Sequence, residues 1–202
     1  MNYLFIASLW IAYCLLHSFL ISTSFTNLLT RLLKNYYAYY RMFFVAFSLV
    51  LLIPLIRYTD QFDNNIIITY SPTLNIVRYI ILLGSLAMFF WAFFIDYDSL
   101  SFFGIRQILN FGKEKKINPS EDLKKSGLLG VVRHPMYFAL IIALWADIFT
   151  IANIMVNTIL TIYVIMGTIL EEKKLVLEFG DAYVKYQQEV PILIPFTKRK
   201  VK

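Results

Sequence analysis

Across residues 74–95 the chain carries a single charge, Arg78, in a run dominated by leucine, isoleucine, phenylalanine and alanine. A run of that length matches the hydrocarbon core of a bilayer, which takes about 20 apolar residues of helix. Inside lipid every backbone N–H and C=O must be paired within the protein, so a run this long has to be a helix. Residues 4–23, 39–56, 135–149 and 153–170 are also apolar enough to consider as spans. The run at 135–149 is short for a full crossing. Only a few residues separate it from 153–170, so the two read as a tight helical hairpin. The expected architecture is all-α, an integral membrane protein of about five transmembrane helices forming one membrane domain over residues 1–202.

Composition agrees. Hydrophobic residues make up 59% of the chain and charged residues 16%, against about 45–50% and 25% in soluble domains. The single cysteine, Cys14, excludes a disulfide framework and a cysteine-based metal site. Two histidines, His17 and His134, provide no cluster for a metal. Residues 1–23 lack a basic leader and a small-residue cleavage site, so they read as a retained helix rather than a signal peptide.

Orientation follows from the basic residues. All but Arg57 and Arg78 of the 19 lysines and arginines fall on one side of the expected spans. The positive-inside rule then places the N-terminus outside and the C-terminus in the cytoplasm. The net charge of +6 faces anionic headgroups and calls for no nucleic-acid partner.

Polar residues that lipid does not tolerate idly mark the functional region. The segment Gly127-Leu-Leu-Gly-Val-Val-Arg133-His134-Pro135-Met136-Tyr137 puts proline in the first turn of a helix, where its missing N–H costs nothing. Free N–H groups, the positive end of the helix dipole and Arg133 would converge there on an anion. The plainer alternative makes Arg133 and His134 interfacial anchors. Glu171 and Glu172 close the last span and point about 100° apart, so at least one faces inward; the plainer reading has both in solvent. After them an amphipathic helix carries Tyr183 and Tyr186 and ends at Val190-Pro-Ile-Leu-Ile-Pro195. The tyrosines either roof the site or sit in the aromatic belt, with Tyr186 assigned to the belt.

Arg-His-Pro-Met-Tyr, about 33 residues of hairpin, then Glu-Glu-x-x-Leu-x-x-x-Phe-Gly-x-x-Tyr-x-x-Tyr and Val-Pro-x-x-x-Pro resembles the isoprenylcysteine carboxyl methyltransferase superfamily. Leu16-His17-Ser18, Tyr40-Arg41 and Asp98-x-x-x-Phe-Phe-Gly-Ile-Arg-Gln107 resemble a bacterial branch with methanethiol S-methyltransferases and NnrU-like proteins. The resemblance implies a membrane-embedded methyltransferase that uses S-adenosylmethionine, with its cofactor core at residues 123–195. By position it implies Leu123, Lys124, His134, Pro135, Met136, Tyr137 and Glu171 as cofactor contacts. Arg133, Glu172 and His17 are the candidate catalytic groups, with His17 assisting thiol deprotonation or simply packed and bonded in the bundle. Leu129 and Gly167 stand where the superfamily has a tyrosine and a carboxylate-binding arginine. That favours a small thiol, such as methanethiol, over a prenylated or lipidic one. An accessory membrane protein of nitrogen-oxide metabolism, without enzymatic activity, and a carboxyl methyltransferase are the alternatives. Sterol reductases share an Arg-His-Pro-like segment but need more helices.

Overall fold

The structure, a computed structural model, describes residues 2–62, 66–109 and 125–197. These residues form helices and turns. The α-helices are α1 (Asn2–Ile21), α2 (Thr23–Leu33), α3 (Tyr40–Phe62), α4 (Pro72–Trp91), α5 (Ser99–Phe102), α6 (Ile105–Leu109), α7 (Pro135–Trp145), α8 (Ile151–Phe179) and α9 (Asp181–Glu189). Among the described residues four helical segments are long and apolar enough to cross a membrane: Tyr3–Ile21, Thr23–Phe62, Pro72–Asp96 and Ile151–Phe179. Their outward faces are rich in exposed leucine, isoleucine and phenylalanine. Such a surface belongs in lipid.

The fifth expected span is shorter than the sequence pattern. Helix α7 has 11 residues and so reaches about 16 Å, half a hydrocarbon core. It stops because Ala146 leaves helical geometry and its N–H closes the last turn onto Ile142 and Ala143. Helix α8, in contrast, runs well past the expected end at residue 170 and carries both glutamates within its regular turns.

Two compact units interleave along the chain. The first holds Met1–Thr69, Ser99–Glu114 and Ile148–Leu160. Its core is Ile6, Trp10 and Val156, flanked by Leu52, Leu55 and Ile159. Trp10 donates its indole N–H to Thr59 Oγ1 at 3.0 Å, tying α1 to α3, and Tyr40 donates to the Leu20 carbonyl at 2.7 Å. Arg41 Nε donates to the Phe102 carbonyl at 3.1 Å, so two of the N-terminal motifs meet in this unit. Helix α2, which the span pattern does not announce, is amphipathic: Phe25, Leu28, Leu29, Leu32 and Leu33 recur at helical spacing. Ser22 caps it, accepting from Phe25 N–H at 3.3 Å.

The second unit holds Tyr70–Asp98, Lys115–Asp147 and Thr161–Lys202. Helix α4 begins on a Ser71 cap with Pro72 in its first turn and ends in a π-helical turn, Ala92–Asp96. It packs along α7 in the opposite direction: Arg78, near its start, donates to the Ala146 carbonyl at 3.4 Å. Tyr97, just past its end, donates to the Arg133 carbonyl at 3.4 Å. Trp145 Nε1 donates to Thr161 Oγ1 at 2.9 Å, fastening the end of α7 to α8. Gly180, at φ 57°, takes the left-handed conformation that L side chains resist and separates α8 from α9.

Candidate active site

Adjacent residues diverge around a helix, and α8 resolves its glutamate pair accordingly. Glu172 turns inward and is 7% exposed, while the Glu171 side chain keeps 35% of its surface open. Five donors meet the Glu172 carboxylate. Oε1 accepts from Arg133 Nε at 2.9 Å, His134 Nε2 at 2.7 Å and the Tyr183 hydroxyl at 2.6 Å. Oε2 accepts from Arg133 Nη2 at 2.5 Å and Gln187 Nε2 at 2.8 Å. A carboxylate offers about four lone-pair directions, so Glu172 has no capacity left for a ligand.

Arg133 is equally engaged. Its Nη1 donates to the carbonyls of Gln187, at 3.1 Å, and Val190. The backbone N–H groups of Arg133 and His134 donate to the Pro191 and Ile192 carbonyls at 2.9 and 3.1 Å. The C-terminal tail has therefore taken the two N–H groups just ahead of α7, and the Arg133 guanidinium, one of the anion-site donors that the sequence suggests, is engaged as well. The two residues are not dangling anchors, at 5% and 2% exposed. The buried ion pair survives because every partner is also hydrogen-bonded.

The open chemistry lies on the other side of the histidine. His134 donates through Nε2, since Glu172 can only accept; in the neutral ring this tautomer leaves Nδ1 as a lone pair. Nδ1 is buried without a hydrogen-bond partner, and so is Glu171 Oε2, 3.8 Å away. Tyr137, stacked on the His134 ring at 5.5 Å and 10°, brings its hydroxyl within hydrogen-bonding reach of Glu171. Pro135 is buried and Met136 half-buried in the same turn of α7.

Helix α9 roofs the cluster. Tyr183 is 2% exposed and Tyr186 3%, which corrects the aromatic-belt assignment of Tyr186: its hydroxyl donates to the buried Leu129 carbonyl at 2.5 Å. Burial pushes the Tyr186 hydroxyl up to about 12. Burial and the Glu172 carboxylate likewise hold the Tyr183 hydroxyl well above its ordinary range. Both stay protonated as donors. At 3.5 Å the Lys125 ammonium pairs with Glu189.

Asp96 and Tyr97, which sequence reasoning passed over, complete the surround. Asp96 Oδ2 accepts from Leu128 N–H at 3.2 Å and fixes the 3-10 turn Gly127–Gly130 ahead of Arg133. Tyr97 is raised above its ordinary range by burial and then by the negative charge of Glu171. A π turn inside an apolar helix often marks function, but its sequence here, Ala-Phe-Phe-Ile-Asp, carries no visible signal. Leu123 and Lys124 lie outside the described residues. His17 belongs to the first unit, where its ring packs against Tyr13 at 5.9 Å and Phe44 at 4.9 Å. Arg133, His134, Tyr137, Glu171 and Glu172 all belong to the second.

The chain is similar to methanethiol S-methyltransferases. One from Crocosphaera subtropica is 35% identical over 143 residues, covering 69% of this chain and 52% of that protein. Methanethiol S-methyltransferase 1 of Bradyrhizobium diazoefficiens is 35% identical over 116 residues, 57% of this chain and 40% of that protein. The Pseudomonas sp. GM41(2012) enzyme is 38% identical over 94 residues, 46% of this chain and 36% of that protein. The chain thus spans about half the length, or less, of these relatives. No family model and no solved structure matches it.

Proposed function

We propose that this chain is a membrane-embedded methyltransferase that binds S-adenosylmethionine between the start of α7 and the last turns of α8 and methylates the sulfur of a small thiol such as methanethiol. The observation that carries the reading is the gap between His134 Nδ1 and Glu171 Oε2. Two buried acceptors 3.8 Å apart call for a donor with more than one N–H between them, and the amino group of an amino-acid-like cofactor is such a donor. The residues fit the group: Glu171 supplies the countercharge, His134 the second acceptor, and Tyr137 a hydroxyl and a ring face. When bound, the cofactor supplies a methyl group on a sulfonium that already carries its leaving group. The chain's task is therefore positioning rather than acid–base work. Arg133 and Glu172 act as positioning residues in this scheme, holding His134 in one tautomer and one orientation. The ring of Tyr137 can favour a nearby cation by about 0.5–2 kcal/mol.

The names of the relatives support a thiol acceptor, and Gly167 supports a neutral one. A Cβ added there would meet nothing within 4 Å, and no guanidinium is present at that position to hold a carboxylate. Burying an unpaired carboxylate costs several kcal/mol, whereas a small neutral thiol enters from lipid freely. The bias of lysine and arginine to one side of the spans supports a site at the cytoplasmic face, with the N-terminus outside. The test is a titration of the purified protein with S-adenosylmethionine, followed by headspace detection of dimethyl sulfide with methanethiol, beside carboxyl methylation of a farnesylcysteine analogue. Saturable binding and volatile product are expected. Absence of cofactor binding would return the chain to the accessory-protein reading, and turnover of the farnesyl acid alone would overturn the acceptor.

A further inference from the structure

At the end of the α4–α7 pair remote from Glu171, the two helices leave a groove of about 410 Å³. Leu74, Val77 and Ile81 of α4 and Ile141 and Trp145 of α7 line it, and Arg78 is the one charged residue among its walls. Leu74 to Ile81 extends about 10 Å along the helix axis at about 1.5 Å per residue, so the groove is elongated and apolar, with a cation beside it.

Arg78 is placed to receive an anion. Its guanidinium lies 4.5 Å from the Tyr79 ring centroid and 5.9 Å from that of Tyr70, which covers its faces and leaves its edge for hydrogen bonding. Nη1 reaches the Ala146 carbonyl at 3.4 Å, a long contact. Nε is buried and has no acceptor. Among the described residues no carboxylate forms an ion pair with it. An intramembrane arginine with spare donors calls for a partner, and the guanidinium fork matches the geometry of a phosphate.

From this charge complementarity we propose that the groove is a phospholipid site: one acyl chain lies along Leu74, Val77 and Ile81 while the lipid phosphate sits on Arg78 at the level of Tyr70 and Tyr79. The paired tyrosines suit the headgroup level. The groove volume far exceeds a one-carbon thiol, and it lies at the far end of the α4–α7 pair from Glu171, so it is separate from the proposed methyl-transfer site. An anionic lipid is preferred over a zwitterionic one, because a choline headgroup brings a second cation close to Arg78.

The experiment is native mass spectrometry of the full-length protein released from micelles supplied with phosphatidylglycerol or phosphatidylcholine. The wild type is expected to retain one phosphatidylglycerol in preference to phosphatidylcholine. Arg78→Ala should reduce the bound fraction about tenfold or more, the scale of one lost charge-assisted hydrogen bond. Ile81→Trp fills the groove with Arg78 intact and should reduce it comparably, while Arg78→Lys retains part of it. Matching circular dichroism spectra establish that each variant is folded. A wild type that retains no lipid, that binds both lipids equally, or whose lipid survives both Arg78→Ala and Ile81→Trp overturns the proposal. Cofactor binding at Glu171 is read separately and does not enter this outcome.

Discussion

The guanidinium of Arg133 grips both oxygens of Glu172, at 2.9 and 2.5 Å, with the two side chains only 4% and 9% exposed. Breaking such a pair from one side strands a buried charge, at about 3–5 kcal/mol. Arg133→Met and Glu172→Leu should each destabilise the fold by about that amount, measured by denaturant titration in micelles. The double variant should cost less than the sum, yet remain below wild type, because His134, Tyr183 and Gln187 lose their acceptor as well. A double variant as stable as wild type would show that these three donors do not depend on Glu172.

Glu171 should behave oppositely to its neighbour. Glu171→Gln keeps an oxygen acceptor for the Tyr137 hydroxyl and should leave the unfolding midpoint nearly unchanged. Its effect belongs in cofactor affinity, weakened by about 1.5–3 kcal/mol for a lost hydrogen bond to a charged group. Calorimetric titration with S-adenosylmethionine checks it, and unchanged affinity would remove Glu171 from the proposed site.

Alkaline stability reports on the α9 roof. Tyr186 titrates near 10 in an unfolded chain and near 12 in the fold, so folding favours its protonated form. That contribution is complete below about pH 10 and is lost as pH rises through about 12. Tyr186→Phe should lower stability at neutral pH by about 0.5–1.5 kcal/mol, since Leu129 O loses its donor. It should also flatten the decline between pH 10 and 12. An identical alkaline decline in the variant would assign the titration to other groups.

Gly127 adopts φ 66°, and a Cβ there would stand 2.4 Å from Asp96 Oδ1. Gly127→Ala therefore combines a left-handed backbone cost of about 1–2 kcal/mol with displacement of the carboxylate that caps Leu128. Its melting temperature should fall. Adding Asp96→Ala relieves the clash but not the lost cap, so recovery should be partial. A single variant that melts with wild type would contradict the close approach.

Much of this arrangement is legible in the sequence. The long apolar runs become α1, α3, α4 and α8 because lipid forces their backbone bonds inward, and Pro135 starts α7 where proline belongs. The pairing of Arg133-His134 with the glutamate doublet is also readable. Which glutamate turns inward is not, because that depends on the rotation of α8 against α9, set by tertiary packing and the break at Gly180. The engagement of Arg133 escapes sequence reading for the same reason: its partners at Gln187 and Val190 are backbone carbonyls, which no residue type announces. The apolar run overstates α7 because Ile148 and Phe149 are apolar but lie beyond the Ala146 stop. Helix α2 does not stand out in the sequence because its apolar stripe merges with the ends of its neighbours.

The tail's grip on the Arg133-His134 backbone sets an order of events during synthesis. Arg133 leaves the ribosome 57 residues before its Val190 acceptor, a delay of roughly 3–11 s at about 5–20 residues per second. The nascent chain enters that interval with none of the acceptors of the guanidinium and the imidazole yet translated: Glu172 arrives first, then the Gln187 carbonyl, and the Val190 carbonyl last. Assembly of the cluster is thus a late event, and a chain stalled anywhere before residue 190 displays unpaired cationic and amide groups at the membrane face.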